Sequence, residues 1–94
     1  MAVRVKVPTI LRKYVDGSPV VEANGGRTVG EVLEDLERRY PGIKERIVTG
    51  RGDLHRFVNV YVNEEDVRYL GSLDAPVREG DTVSILPAVA GGSG

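Results

Sequence analysis

Val3, Val5 and Val7 alternate with Arg4 and Lys6, the period of two that a strand with one buried face requires. Pro8 ends that strand. Residues Thr9 to Ser18 are polar with scattered apolar groups and read as a long loop that includes the turn dipeptide Asp16-Gly17. Pro19, Val20, Val21 and Glu22 return as a short second strand, broken by Asn24-Gly25-Gly26. Then the period changes. Val29, Val32, Leu33 and Leu36 fall on one face at helical spacing, with Glu31, Glu34, Asp35, Glu37 and Arg38 elsewhere. Thr28 and Glu31 have the capping-box spacing, acidic residues lead, and Arg38-Arg39 close the helix in the sense its dipole favours. Pro41-Gly42 stops it. Ile43 to Val48 have room for one further helical turn before the exposed loop Thr49-Gly50-Arg51-Gly52-Asp53.

The second half returns to a period of two. Val58, Val60 and Val62 alternate with Phe57, Asn59 and Tyr61 as a third strand. Asn63-Glu64-Glu65-Asp66 reads as a turn and Val67-Arg68-Tyr69-Leu70 as a short fourth strand. Glu79-Gly80-Asp81 turns the chain into Thr82–Pro87, a last strand with Val83 and Ile85 inward. One amphipathic helix among five strands demands a sheet with a single covered face. The pattern therefore establishes the α+β class. Its economical packing is a β-grasp, ubiquitin-like roll, a mixed sheet with one main helix packed across one face, although periodicity leaves the strand order open. Residues 1–87 are read as this domain and 88–94 as a flexible C-terminal tail that carries a diglycine.

Composition narrows the function classes. Thirteen basic residues oppose fourteen acidic ones, leaving a net charge of −1 and no counterion-release drive onto nucleic acid or an anionic membrane. No Cys is present, which excludes disulfides, thiolate metal sites and cysteine nucleophiles. No apolar run approaches the ~20 residues that span a bilayer, and the first residues lack a signal-peptide stretch. The expectation is a cytoplasmic monomer that uses neither nucleic acid nor membrane.

Candidate chemistry is sparse. His55 is the only imidazole and reads as a loop-tethering residue beside Arg56. Glu64-Glu65-Asp66 lacks the spacing of a calcium loop and reads as a solvated turn. Asn24-Gly25-Gly26-Arg27 precedes a capped helix, but it has neither the Lys-Ser/Thr of a P-loop nor the three-glycine dinucleotide pattern. No catalytic residue, no metal site and no bound cofactor are expected, and the chain is not read as an enzyme.

The tail is different. Ala88-Val89-Ala90-Gly91-Gly92 has no helix former, turn signal or charge. At ~3.3 Å per extended residue, five residues carry a terminal group ~16 Å from the domain. Glycines without a Cβ thread a channel too narrow for other residues, so Gly91 and Gly92 suit a carboxylate presented to another protein's buried active site. A Gly/Ser end without a role is the competing reading of Gly-Gly-Ser-Gly alone. If Val58, Val60, Val62, Val83 and Ile85 point inward, then Phe57, Tyr61 and Leu86 point outward. In a ubiquitin-like strand order they form an apolar patch for partner docking.

Five segments together carry a family resemblance. They are Pro8-Thr9-Ile10-Leu11-Arg12, Leu54-His55-Arg56-Phe57-Val58-Asn59, Tyr61-Val62-Asn63, Glu65-Asp66-Val67-Arg68 and Ile85-Leu86-Pro87-Ala88-Val89-Ala90-Gly91-Gly92. With the Gly80-Asp81 turn, they are similar to the ThiS/MoaD family of ubiquitin-like sulfur carriers, most closely the CysO-type carriers of actinobacterial cysteine biosynthesis. The resemblance implies that an E1-like enzyme adenylates the terminal glycine with ATP and magnesium, and that a sulfur donor then makes a thiocarboxylate. It further implies a pyridoxal-phosphate cysteine synthase acting on O-phosphoserine as acceptor enzyme, and a JAMM-type zinc metalloprotease that releases the amino acid. Carried over, Gly92 bears the sulfur, and Gly91 and Ala90 thread the partner's channel.

The sequence departs from that pattern at its end. Ser93 and Gly94 follow the diglycine and hold the Gly92 carboxyl in a peptide bond, so they are residues to be processed off or additions to the natural end. Delivery of the sulfur to a thiolated metabolite, a ubiquitin-like modifier joined to lysines, and a non-covalent binding module with an inert tail stay open. The last predicts function surviving deletion of everything after Pro87.

Overall fold

The computed structural model describes residues 2–24 and 26–87. Alternation at the start builds β1 (Val3–Lys6), with Val3 and Val5 buried and Arg4 and Lys6 in solvent. β2 (Val20–Ala23) returns antiparallel to it, with Val21 opposite Val5. After α1 (Val29–Arg39) and the short α2 (Ile43–Ile47) come β3 (Val58–Val62), β4 (Glu65–Asp66) and β5 (Thr82–Pro87). β5 lies between β1, to which it is parallel, and β3, to which it is antiparallel. The order β2-β1-β5-β3-β4 makes the mixed sheet of the expected β-grasp roll. Among the described residues no helix is long and apolar enough to cross a membrane.

The core lies on one face. Val29, Val32, Leu33 and Leu36 of α1 are fully buried against Val5, Val60, Val83 and Ile85, and Ile43 and Ile47 of α2 extend the layer. Each such side chain contributes about 1.5–3 kcal/mol by leaving water. Thr28 Oγ1 accepts from the Glu31 N–H at 3.2 Å, as the capping spacing predicts. The Glu31 carboxylate, however, reaches past the capping residue and accepts from the Arg27 N–H at 2.6 Å. Gly30 permits a close approach here: a Cβ would stand 3.2 Å from the Leu73 carbonyl oxygen.

Two expectations are corrected. The stretch read as a long polar loop contains a 3₁₀ helix, Thr9–Val15, that buries Leu11 and Val15. Those two residues are four apart, a helical spacing that the surrounding polar residues obscure. Asp16, in the left-handed region, closes it and begins the expected turn with Gly17. The fourth strand is Glu65–Asp66, and Val67–Tyr69 is a 3₁₀ turn. Asn63 and Glu64 both have positive φ and close a two-residue hairpin, the geometry that matches strand twist. The return strand therefore starts two residues early. Asp66 Oδ1 then accepts from the Arg68 N–H at 2.9 Å and bends the chain away.

Side chains occupy the outer edge of β2. The Asn24 N–H donates to Asp35 Oδ2 at 3.0 Å, and the Arg39 guanidinium donates to the Glu22 carbonyl and to Asp35 at 2.7 Å. The Asn24 amide, with help from the Arg39 charge and against partial burial, holds the Asp35 carboxyl below the usual aspartate range. An ion pair thus takes the backbone positions that an added strand would use.

Candidate functional site

Pro87 at the end of β5 is registered opposite Val58, the first residue of β3. Because Val58, Val60, Val62, Val83 and Ile85 are buried, alternation sends Tyr61 and Leu86 to the face that no helix covers. Leu86 stands opposite Asn59 and Tyr61 opposite Ser84, which makes Leu86 a diagonal neighbour of Tyr61 on that face. Phe57 lies in the turn just before β3, where it lines a hollow with Ile10, Leu11 and Tyr14. Phe57 is 59% exposed and Leu86 47% exposed, while Tyr61 is half-buried. Of the three residues expected to dock, Tyr61 and Leu86 therefore share the open face of the sheet, and Phe57 lies at the same end next to Val58, the partner of Pro87.

Neighbouring segments fix this patch. His55 is the tether anticipated for it: its N–H donates to the Ile47 carbonyl at 2.9 Å, and Nε2 lies 2.9 Å from the Glu45 carbonyl oxygen. A carbonyl only accepts, so Nε2 carries the proton. The two bonds pin the loop to α2 and set the position of Phe57 two residues later. On the other side, Arg68 donates to Asn59 Oδ1 at 2.8 Å and to the Val58 carbonyl at 3.0 Å. It thereby covers part of the β3 edge that two-residue β4 leaves open.

One exposed apolar residue beside Phe57 was not singled out in the sequence. Ile10 is 61% exposed and, with Phe57, Leu11 and Tyr14, lines a hollow of about 410 Å³. The Leu11–Val15 spacing would have revealed it, since a helical turn that buries those two puts Ile10 off their face.

The remaining candidates take no part. Among the described residues no group of three or more His, Asp or Glu side chains could hold a metal ion, and Glu64 and Glu65 lie in solvent. At the start of α1 the Val29 N–H is taken by the Ala75 carbonyl at 3.0 Å and the Glu31 N–H by Thr28. The carboxylate of Glu31 accepts from the Arg27 N–H as well, so the N–H groups at the start of α1 are not free for a phosphate. Ala90, Gly91, Gly92, Ser93 and Gly94 lie outside the described residues.

The profile described as the ThiS family matches residues 5–92, a span that takes in both glycines of the diglycine and all of the sheet but the first two residues of β1. The chain belongs to the ThiS family. Sulfur carrier protein CysO of Mycobacterium tuberculosis is 53% identical over 94 residues, covering 98% of this chain and all of that one. In the solved Amycolatopsis orientalis BexX/CysO complex, one chain is 57% identical with a TM-score of 0.89, covering 97% of this chain and 100% of its own length. Small archaeal modifier protein 3 of Haloferax volcanii is 40% identical over 65 residues, 69% of this chain and 70% of that protein. This ThiS-family member stands among sulfur carriers of the CysO type, as a protein cosubstrate and not an enzyme.

Proposed function

We propose that the terminal carboxylate of Gly92, freed of Ser93 and Gly94, is the working group of this ThiS-family chain. A carboxylate is a poor electrophile. An E1-like partner joins it to the AMP moiety of ATP, magnesium assisting, and releases pyrophosphate. A sulfur donor then displaces AMP and leaves a thiocarboxylate, in which sulfur replaces one oxygen. The sulfur is nucleophilic yet tethered, so it cannot diffuse away as sulfide. ATP, magnesium and pyridoxal phosphate belong to the partners in this scheme; the chain's own residues dock, extend and present.

The acceptor is a pyridoxal-phosphate cysteine synthase that uses O-phosphoserine, with a JAMM-type zinc metalloprotease releasing cysteine; a thiolated metabolite is the alternative destination. Likeness to CysO over nearly the whole of both chains carries this reading. Docking through Phe57, Tyr61 and Leu86 is supported by the exposure of Phe57 and Leu86, with half-buried Tyr61 the diagonal neighbour of Leu86. Gly91 and Ala90 pass through the partner's channel because small residues fit where larger ones do not.

Intact mass with C-terminal peptide sequencing, on chain recovered untagged from its own cells, tests the proposal. A terminus at Gly92 with sulfur in place of one oxygen, alkylated by a thiol-reactive reagent, is the expected result. A chain ending uniformly at Gly94 without sulfur, in the presence of the activating enzyme, overturns it. The likeness to a small archaeal modifier favours a second reading, in which Gly92 is joined to lysines. That reading predicts isopeptide adducts that resist thiols.

A further inference from the structure

Phe57 is shared by two hollows at the end of the sheet where the chain departs. The first, about 410 Å³, has an apolar wall of Ile10, Leu11 and Val58 and the charged groups Lys13, Arg46 and Glu45. The second, about 830 Å³, includes Arg51, Arg56 and Asp53. Four cations and two carboxylates thus surround an exposed aromatic ring. Two of the cations are held in place by one side chain. Arg46 Nε donates to the Tyr14 hydroxyl at 2.7 Å, its guanidinium lies 5.7 Å from the Tyr14 ring centre, and Lys13 Nζ lies 5.5 Å from that centre.

The opposite end of the sheet has the opposite sign. Asn63 Nδ2 donates to Asp81 Oδ1 at 2.9 Å, which joins the β3–β4 turn to the approach to β5. Glu64, Glu65, Glu79 and Asp81 gather there, with Arg4, Arg27 and Arg78 as nearby cations. A net charge of −1 therefore hides a separation of charge along β5.

We infer that the cleft between Ile10 and Phe57, with its rim of Lys13, Arg46, Arg51 and Arg56, is the docking point for an acidic, apolar-tipped surface of the E1-like activating enzyme. This rests on the reading above that such an enzyme receives the tail. The apolar tip enters the hollow and shields Ile10 and Phe57 from water. The partner's carboxylates meet the rim, and its field turns the carrier so that the departing chain arrives first, while the acidic end is repelled. Ile10 extends the docking surface off the sheet, beyond Phe57, Tyr61 and Leu86. The rim cations would also attract nucleic-acid phosphates, but the near-neutral charge and the acidic far end oppose them.

The test is stopped-flow association of the full chain with its organism's activating enzyme at low and physiological salt, alongside the rate of thiocarboxylate formation. The rim variant is Lys13→Glu/Arg56→Glu. Its control, Arg27→Glu/Arg78→Glu, changes net charge equally at the other end, and circular dichroism checks that both fold. The rim variant is expected to associate about 10-fold more slowly at low salt and to lose most of its salt dependence, with kcat unchanged. The control is expected to stay within about 2-fold of the parent. Ile10→Ala is expected to raise KM about 5-fold with kcat unchanged, as for an interface anchor.

Parental association by the rim variant, an equal slowing in the control, or an unchanged KM for Ile10→Ala overturns the inference. So does binding of a single-stranded RNA oligonucleotide at physiological salt that only the rim variant loses. If the parent associates as described but never acquires sulfur, the sulfur-carrier reading fails and the docking inference stands.

Discussion

Pro87 is registered opposite Val58, and this one pairing decides where the outgoing chain meets its surroundings. It places Pro87 and Leu86 at the same end of the sheet as Phe57. An antiparallel slip of one residue would send Leu86 into the core and Ile85 into solvent. The buried Ile85 and Val83 prevent it.

Leu86→Asp is expected to fold, since Leu86 is already 47% exposed. Loss of an apolar anchor is expected to raise KM for the activating enzyme about 10-fold with kcat nearly unchanged. Steady-state thiocarboxylation monitored by mass checks this, and parental KM in the folded variant refutes docking through this face.

Removal of every residue after Pro87 is expected to leave the domain folded, because the core and the sheet lie within residues 2–87. Thermal melting should change little while sulfur acceptance is abolished. Retained biological function in the shortened chain would point instead to a non-covalent binding module.

Gly26→Ala is expected to destabilise the domain by about 2 kcal/mol. Gly26 has φ +114, and a Cβ there would stand 3.0 Å from the Val32 backbone nitrogen. The helix start cannot move aside without losing its bond to Thr28. Urea unfolding measures the loss, and an unchanged midpoint contradicts the crowding.

Asp35→Asn is expected to cost about 1 kcal/mol near neutral pH, the usual worth of a charge-assisted hydrogen bond. The Asn24 amide and Arg39 lower the folded-state pKa of Asp35. Its stabilisation is therefore complete above the unfolded-state value and fades as pH falls through the lower folded one. Denaturant titrations of parent and variant should converge in that acid range. A constant difference down to the acid limit would assign the effect to packing instead.

Local patterning carried much of the fold. Val3-Val5-Val7 and Val58-Val60-Val62 announce strands because one face of each must be dry, and Thr28 with Glu31 marks the helix start within four residues. Where local signals compete, reading failed. Val67–Leu70 looks like a strand because Val and Tyr favour one, but positive φ at Asn63 and Glu64 closes the hairpin earlier. Residues Ser72–Val77 have no periodicity, yet Ala75 and Val77 are buried because their backbone bonds to Val29 and Arg27 beside α1. Exposed Ile10 was legible only through the Leu11–Val15 spacing, which the polar residues between those two obscure.

What the sequence determined by itself is what neighbours along the chain enforce: periods of two and of 3.6, the capped helix, the turn at Asp16-Gly17, and an uncharged run ending in Gly91-Gly92. The tertiary structure alone decided which strands lie side by side. It therefore decided that Ile10, Phe57 and Leu86 gather at one end, and that Lys13, Arg46, Arg51 and Arg56 stand around them while Glu64, Glu79 and Asp81 lie far away. Strand order and register are set by closing one core over segments distant in sequence, and a surface field is the sum of charges that only this closure brings together.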